Sequence, residues 1–255
     1  MKQGVFITII MVVALAISSV IYVYMLPDYI QKGGPLVILL LALSIMVITF
    51  VVERAFTLRQ ARGRGSLISF LKTVRNEINS GNIKNAIAAC EKQHGSCANV
   101  LRAGLETFQL LKQSGRSGHI DDQKQTAEEI QSSIDESMML EVPLLEKNLV
   151  ALSTIASIAV LVGLLGTTIG MIRAFKALAH SGAPDAIQLS LGISEALVNT
   201  AGGLITAIMG IVFYNYFVTK IDNFTYMINE ESYSMVRTLA RSLGIDNPGE
   251  KAKAK

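Results

Sequence analysis

Glu195, Asn199, Gly202 and Thr206 fall at i, i+4, i+7 and i+11, the spacing of a single helical stripe. Thr200 flanks it. A carboxylate, an amide and hydroxyls in one line can relay hydrogen bonds or wet a path for ions. Facing lipid such groups are costly, so they are expected to face protein or a water-filled path. An earlier segment carries hydroxyls of its own at Ser153, Thr154, Ser157, Thr167 and Thr168. Its Gly163, Gly166 and Gly170, like Gly202, Gly203 and Gly210 in the later segment, are small residues that let helices approach closely. The competing reading is structural: hydroxyls bond back to carbonyls of their own helix, and the glycines only aid packing. For one threonine alone the structural reading is adequate. For the whole stripe, matched by a second Gly/Thr helix, an ion pathway is the better reading. Neither segment has a carboxylate at its centre. An ion path here therefore expects its titrating group from a partner subunit, with the hydroxyls as relays.

The elements that would position these groups are apolar helices. Of 255 residues, 51% are hydrophobic and 17% charged, against about 25% charged in soluble domains. Four runs account for this: Val5 to Leu26, Leu36 to Val52, Leu149 to Ile172 and Ala196 to Thr219. Each is close to the roughly 20 residues that cross a hydrocarbon core as helix. The first run is read as a retained helix rather than a signal peptide. It exceeds the usual apolar core of about 7–15 residues, and Tyr22-Val23-Tyr24-Met25-Leu26-Pro27 offers no Ala-x-Ala exit. Arg54, Arg59, Arg62 and Arg64 follow the second run, so that end is expected to be cytoplasmic. Four spans then put both termini in the cytoplasm.

This predicts an all-α polytopic membrane protein. Residues 1–34 form an N-terminal span and a tight outer hairpin through Gly33-Gly34, with Pro35 in the first turn of the next helix. Residues 35–52 form the second span, 53–148 a cytoplasmic helical domain, 149–172 the third span, and 173–195 an outer loop. Residues 196–219 form the fourth span, and 220–255 a cytoplasmic helix with a polar tail from Asn247 that is expected to be disordered. The insert reads as helices broken at Ser80-Gly81-Asn82, His94-Gly95-Ser96 and Ser114 to Gly118. From Asp122, an expected N-cap, Ile130, Ile134, Met138, Val142 and Leu145 run straight into the third span. One long helix is expected there, kinked at Pro143. The last span should continue through Ile221, Phe224, Met227, Ile228, Val236 and Leu239.

Net charge is +3, too small to indicate nucleic-acid binding. Cys90 and Cys97 are read as small buried thiols; His94 alone does not complete a metal set. His119 and His180 are isolated. No metal or other cofactor is expected, and no enzyme, because Glu195 has no acidic or histidine companion at membrane depth.

Several motifs resemble the ExbB/TolQ/MotA family of proton-channel subunits, most of all its ExbB members. Glu53-Arg54 closes the second span as the family's "ER" does. Val142-Pro143 leads through Ile155-Ala156 to Gly163-Leu164-Leu165-Gly166-Thr167-Thr168-Ile169-Gly170-Met171, the most specific signal. Ile193-Ser194-Glu195-Ala196-Leu197, Thr200 and Gly203-Leu204 resemble the family's last helix. Gly81 to Glu106, with Ala86, Cys90 and Ala98, fits its cytoplasmic insert. The resemblance covers residues 35–243. Val160 stands where the family usually has Pro, and the helix from Val5 to Leu26 is an addition to the three-span plan.

The resemblance implies a pentamer around the paired single helices of an ExbD-like partner, whose membrane aspartate carries the proton. Flow down the gradient would rotate that pair and act on a TonB-like protein. Thr167 and Thr200 match pore-facing threonines and Glu195 an outer-end glutamate, with Asn199 and Thr206 on the same stripe. The potential supplies roughly 2.3 kcal/mol per proton per 100 mV, enough for a few protons to drive a mechanical step. A TolQ-like or gliding-motor stator shares the same two-helix core. A non-conducting scaffold would explain the glycines but leave the Glu195 stripe without a use.

Overall fold

The computed structural model describes residues 3–113, 120–179 and 185–242. Among them there are only helices: α1 (Gln3–Tyr24), α2 (Asp28–Gln31), α3 (Leu36–Ala61), α4 (Leu67–Asn79), α5 (Ile83–Gln93), α6 (Ser96–Gln113), α7 (Ile120–Glu146), α8 (Leu149–Ala179) and α9 (Ala186–Ser242). The all-α class holds, and four helical stretches are long and apolar enough to cross a membrane. The expected loop Ser114–Gly118, His119, His180 and the tail from Asn247 lie outside the described residues. The chain divides into two compact units, Met1–Arg54 with Asn148–Val218, and Ala55–Lys147 with Thr219–Lys255.

In the first unit α1 is exposed along most of its length and buries Ala14 and Ser18. One turn on, the Tyr22 hydroxyl donates to the Gln31 carbonyl (2.9 Å), and Gln31 Nε2 donates to the Leu26 carbonyl (2.9 Å). These bonds close the expected hairpin around the single turn of α2. Pro35 stands immediately before α3. That helix buries Val37, Leu40, Leu43, Val47 and Phe50, and Arg54 continues the line at 1% exposure.

Two expectations change. The run from α7 into α8 is broken, and the break lies at Lys147-Asn148 rather than at Pro143, which α7 passes through. Asn148 has φ 67, a left-handed conformation that asparagine tolerates better than most residues, and its carbonyl accepts the Leu152 N–H to start α8. α7 also begins at Ile120, two residues before the expected cap at Asp122.

The second unit is a helical assembly with its own buried apolar core. α4 buries Phe70, Leu71, Val74 and Ile78, α6 buries Val100, Leu101, Leu105 and Phe108, and α7 buries Ile130, Ile134 and Met138. The later part of α9 buries Ile221, Phe224, Ile228, Ser232, Met235 and Leu239, a stripe at three- and four-residue steps. Arg75 Nη2 reaches Glu231 Oε2 at 2.9 Å, tying α4 to α9. The break at His94-Gly95 has a local cause. A Cβ on Gly95 would lie 2.5 Å from the Ala61 carbonyl oxygen and 2.7 Å from the Gly63 nitrogen, and the Arg64 N–H donates to the Gln93 carbonyl (2.8 Å). The chain after α3 crosses the α5–α6 turn backbone to backbone.

Cys90 and Cys97 are both buried, as expected, and free. Burial pushes both thiols from 9.0 up to about 12. The folded protein then holds protons that the unfolded chain releases, so the thiols' contribution is fully present below pH 9 and is lost as pH rises from 9 to 12. At pH 8 neither thiol should react with iodoacetamide until denaturant is added. Rapid alkylation of the folded protein would contradict the burial.

Candidate functional site

α8 and α9 run antiparallel, with their backbones brought together by small residues. Gly210 lies against Ala156, Gly203 against Ala159 and Gly163, Asn199 against Gly166, and Gly192 and Ala196 against Gly170. At each of these glycines a Cβ would meet another atom within normal packing distance, mostly backbone. Five of the six predicted packing glycines, Gly163, Gly166, Gly170, Gly203 and Gly210, sit at this contact. Gly202 faces α3 instead, 3.4 Å from Leu40 Cδ1 to a built Cβ. Gly192 and the alanines opposite were not foreseen.

The polar groups separate into two sets. Glu195 and Asn199 are buried in the unit, at 5% and 0% exposure. The Glu195 carboxylate accepts from Arg173 Nη1 at 2.6 Å to each oxygen. Its side chain is 7% exposed, whereas that of Arg173 is 55% exposed. The pair exists because α8 continues as helix through Ala179, so the expected loop 173–195 is helical over 173–179 and 186–195. Asn199 Nδ2 donates to the Gly33 carbonyl (2.8 Å) and to the Glu195 carbonyl (2.9 Å). Thr206, also buried, donates to the Gly202 carbonyl (2.9 Å).

Thr167 and Thr200 form the second set. Both are half-buried, on parts of α8 and α9 bordered by the exposed Leu164, Leu197 and Leu204. Thr167 donates to the Leu164 carbonyl (2.6 Å) and Thr200 to the Ala196 carbonyl (3.1 Å). Each threonine proton is thus used within its own helix, and each hydroxyl oxygen can still accept. Thr168 is exposed and bonds back to Leu165. Among the described residues no three His, Cys, Asp or Glu gather as a metal site would require. At the other end of α3, Arg54 Nε donates to Glu53 Oε2 at 2.7 Å, and Asn148 Nδ2 approaches the same oxygen at 3.4 Å. The "ER" motif is therefore an ion pair set beside the α7–α8 break.

Fold and site define a multi-pass, all-α membrane protein whose polar groups lie along one glycine-packed helix pair. The model of the MotA/TolQ/ExbB proton channel family matches residues 92–230, and the chain belongs to this family. It is 31% identical over 191 residues to a putative biopolymer transport protein ExbB-like 3 of Synechocystis sp., covering 73% of this chain and 82% of that protein. It is 34% identical over 103 residues to the biopolymer transport protein ExbB of Pseudomonas putida, covering 40% of this chain and 31% of the relative. Over 121 residues it is 31% identical to the Tol-Pal system protein TolQ of Pseudomonas aeruginosa, covering 48% of this chain and 51% of the relative. Except for the first of these, the match spans about half of the relative or less.

Proposed function

We propose that this protein is the proton-channel subunit of an inner-membrane motor that uses the proton-motive force for TonB-dependent outer-membrane transport. Its partner is an ExbD-like subunit carrying the proton-binding aspartate, and the assembly is a homopentamer with both termini of each chain in the cytoplasm. The observation that carries the reading is the placement of Thr167 and Thr200. They are half-buried on the same helix pair whose Glu195, Asn199 and Thr206 side chains are buried inside the unit. Hydroxyl oxygens at that position are available to a neighbouring subunit or a partner helix as acceptors. The exposed Leu164, Leu197 and Leu204 around them suit a helix-to-helix contact in lipid.

The self-bonded threonine protons support a second reading, a non-conducting scaffold. A TolQ-type role is the other alternative, since relatives of both names match. The test is a split between assembly and work. Thr167→Val and Thr200→Val should abolish proton-gradient-dependent work while native mass spectrometry with the co-expressed partner still shows a pentamer. Glu195→Ala should lose function or assembly. Full activity of both threonine variants would leave the scaffold standing.

A further inference from the structure

The hairpin between α1 and α3 makes contacts that the pathway reading does not use. Asn199 reaches it across 166 positions of sequence, donating to the Gly33 carbonyl at 2.8 Å in a fully buried bond. Its second donor bond goes to the Glu195 carbonyl, and its Oδ1 is buried without a hydrogen-bond partner. That pattern fixes the amide: turned over, it would set an oxygen against two carbonyl oxygens.

Gly33 and Gly34 have no room for side chains. A Cβ on Gly33 would collide with Val37 and lie 2.7 Å from Val198 Cγ1. A Cβ on Gly34, where φ is +74, would lie 2.7 Å from Glu195 Oε1. The hairpin backbone thus rests directly on the Glu195 carboxylate, which Arg173 also holds. Tyr22 and Gln31 stiffen the hairpin from within.

We propose that this hairpin is a lid on Glu195, docked through Asn199, and that Asn199 is a positioning residue for the carboxylate. The N-terminal helix is then tied to the polar helix pair and is more than an anchor. The docking does not require Glu195 to lie on a proton path; only its consequence for proton flux rests on the function proposed above.

The test uses the full-length protein with its partner in intact cells and a membrane-impermeant maleimide. Two reporter sites are needed. Lys32→Cys lies on the exposed hairpin surface, and Val198→Cys is half-buried with its side chain against Gly33. Lys32→Cys should react at one rate in every background. Val198→Cys should react about tenfold faster when combined with Asn199→Ala, the effect of losing one buried hydrogen bond on the open fraction. Gly34→Ala attacks the same docking from the hairpin side and should accelerate Val198→Cys as well. Unchanged Val198→Cys rates in both backgrounds, at normal protein levels, would overturn the lid. If Lys32→Cys reacts only in inverted vesicles, the orientation proposed above fails, and the same Val198→Cys ratio measured there decides the lid. If Val198→Cys accelerates but proton-driven work is unchanged, the lid stands and the role of Glu195 in the path falls.

Discussion

Replacing Gly203 with alanine should force α8 and α9 apart, whereas the same change one residue earlier, at Gly202, should be nearly silent. The two glycines are neighbours in sequence and chemically identical, so propensity and hydrophobicity cancel in the comparison. They differ in what stands opposite. At Gly203 an added Cβ would lie 2.6 Å from the Ala159 carbonyl oxygen and 2.9 Å from the Gly163 α-carbon. Those are backbone atoms of a packed helix and cannot rotate away. At Gly202 the first neighbour is the end of the Leu40 side chain at 3.4 Å, an ordinary contact. Overpacking a well-filled contact typically costs about 1–3 kcal/mol. A backbone-to-backbone clash belongs at the upper end, so Gly203→Ala should cost about 3 kcal/mol and Gly202→Ala within about 0.5 kcal/mol. Unfolding in detergent, followed beside native mass spectrometry of the assembly, measures both. Equal behaviour of the two variants would mean that the α8–α9 contact is not what holds the polar stripe in place.

The register of that contact was legible in the sequence in more detail than the individual glycines suggest. Ala156, Gly163 and Gly170 recur every seventh residue, as do Ala196, Gly203 and Gly210. Two small-residue lines of one period, on two apolar helices, mark two faces that fit each other. The buried stripes of residues 53–148 were legible for a similar reason, since a helix packed on one face repeats its apolar residues every three or four positions. Arg173 was hidden by a different rule. The roughly 20-residue span length gives the thickness of the bilayer, not the length of the helix, and α8 runs on through Ala179. Treated as a loop residue, Arg173 had no fixed geometry and no claim on Glu195. The break after α7 was misplaced because Pro143 is a visible breaker, while a left-handed Asn148 gives no signal beyond asparagine's tolerance for it. The hairpin contact with Asn199 could not be read at all. Gly33-Gly34 suffices as a turn, and no local pattern announces a hydrogen bond that spans 166 residues.

Arg54→Met should be the most damaging single change at the other end of the first unit, and Glu53→Gln added to it should recover much of the loss. Arg54 is 1% exposed and Glu53 27% on their side chains. The two are sequence neighbours on α3, whose side chains would ordinarily diverge by about 100° around a helix with 3.6 residues per turn. Here they turn towards each other, Nε to Oε2 at 2.7 Å. Removing one member of a buried ion pair costs about 3–5 kcal/mol because the other charge loses its counter-charge, whereas replacing both is often close to neutral. Glu53 keeps partial contact with water, so the single variant is placed near about 3 kcal/mol, the lower end of that range. Methionine keeps the length and apolar bulk of the arginine stem, which isolates the charge from the packing. Asn148 Nδ2, 3.4 Å from Glu53 Oε2, carries the disturbance to the residue whose left-handed backbone starts α8. Limited proteolysis near Lys147 should therefore speed up in Arg54→Met and slow again in the double variant. If single and double variants lose equal stability, the stem and further contacts of Arg54, and not its pairing with Glu53, hold this corner together.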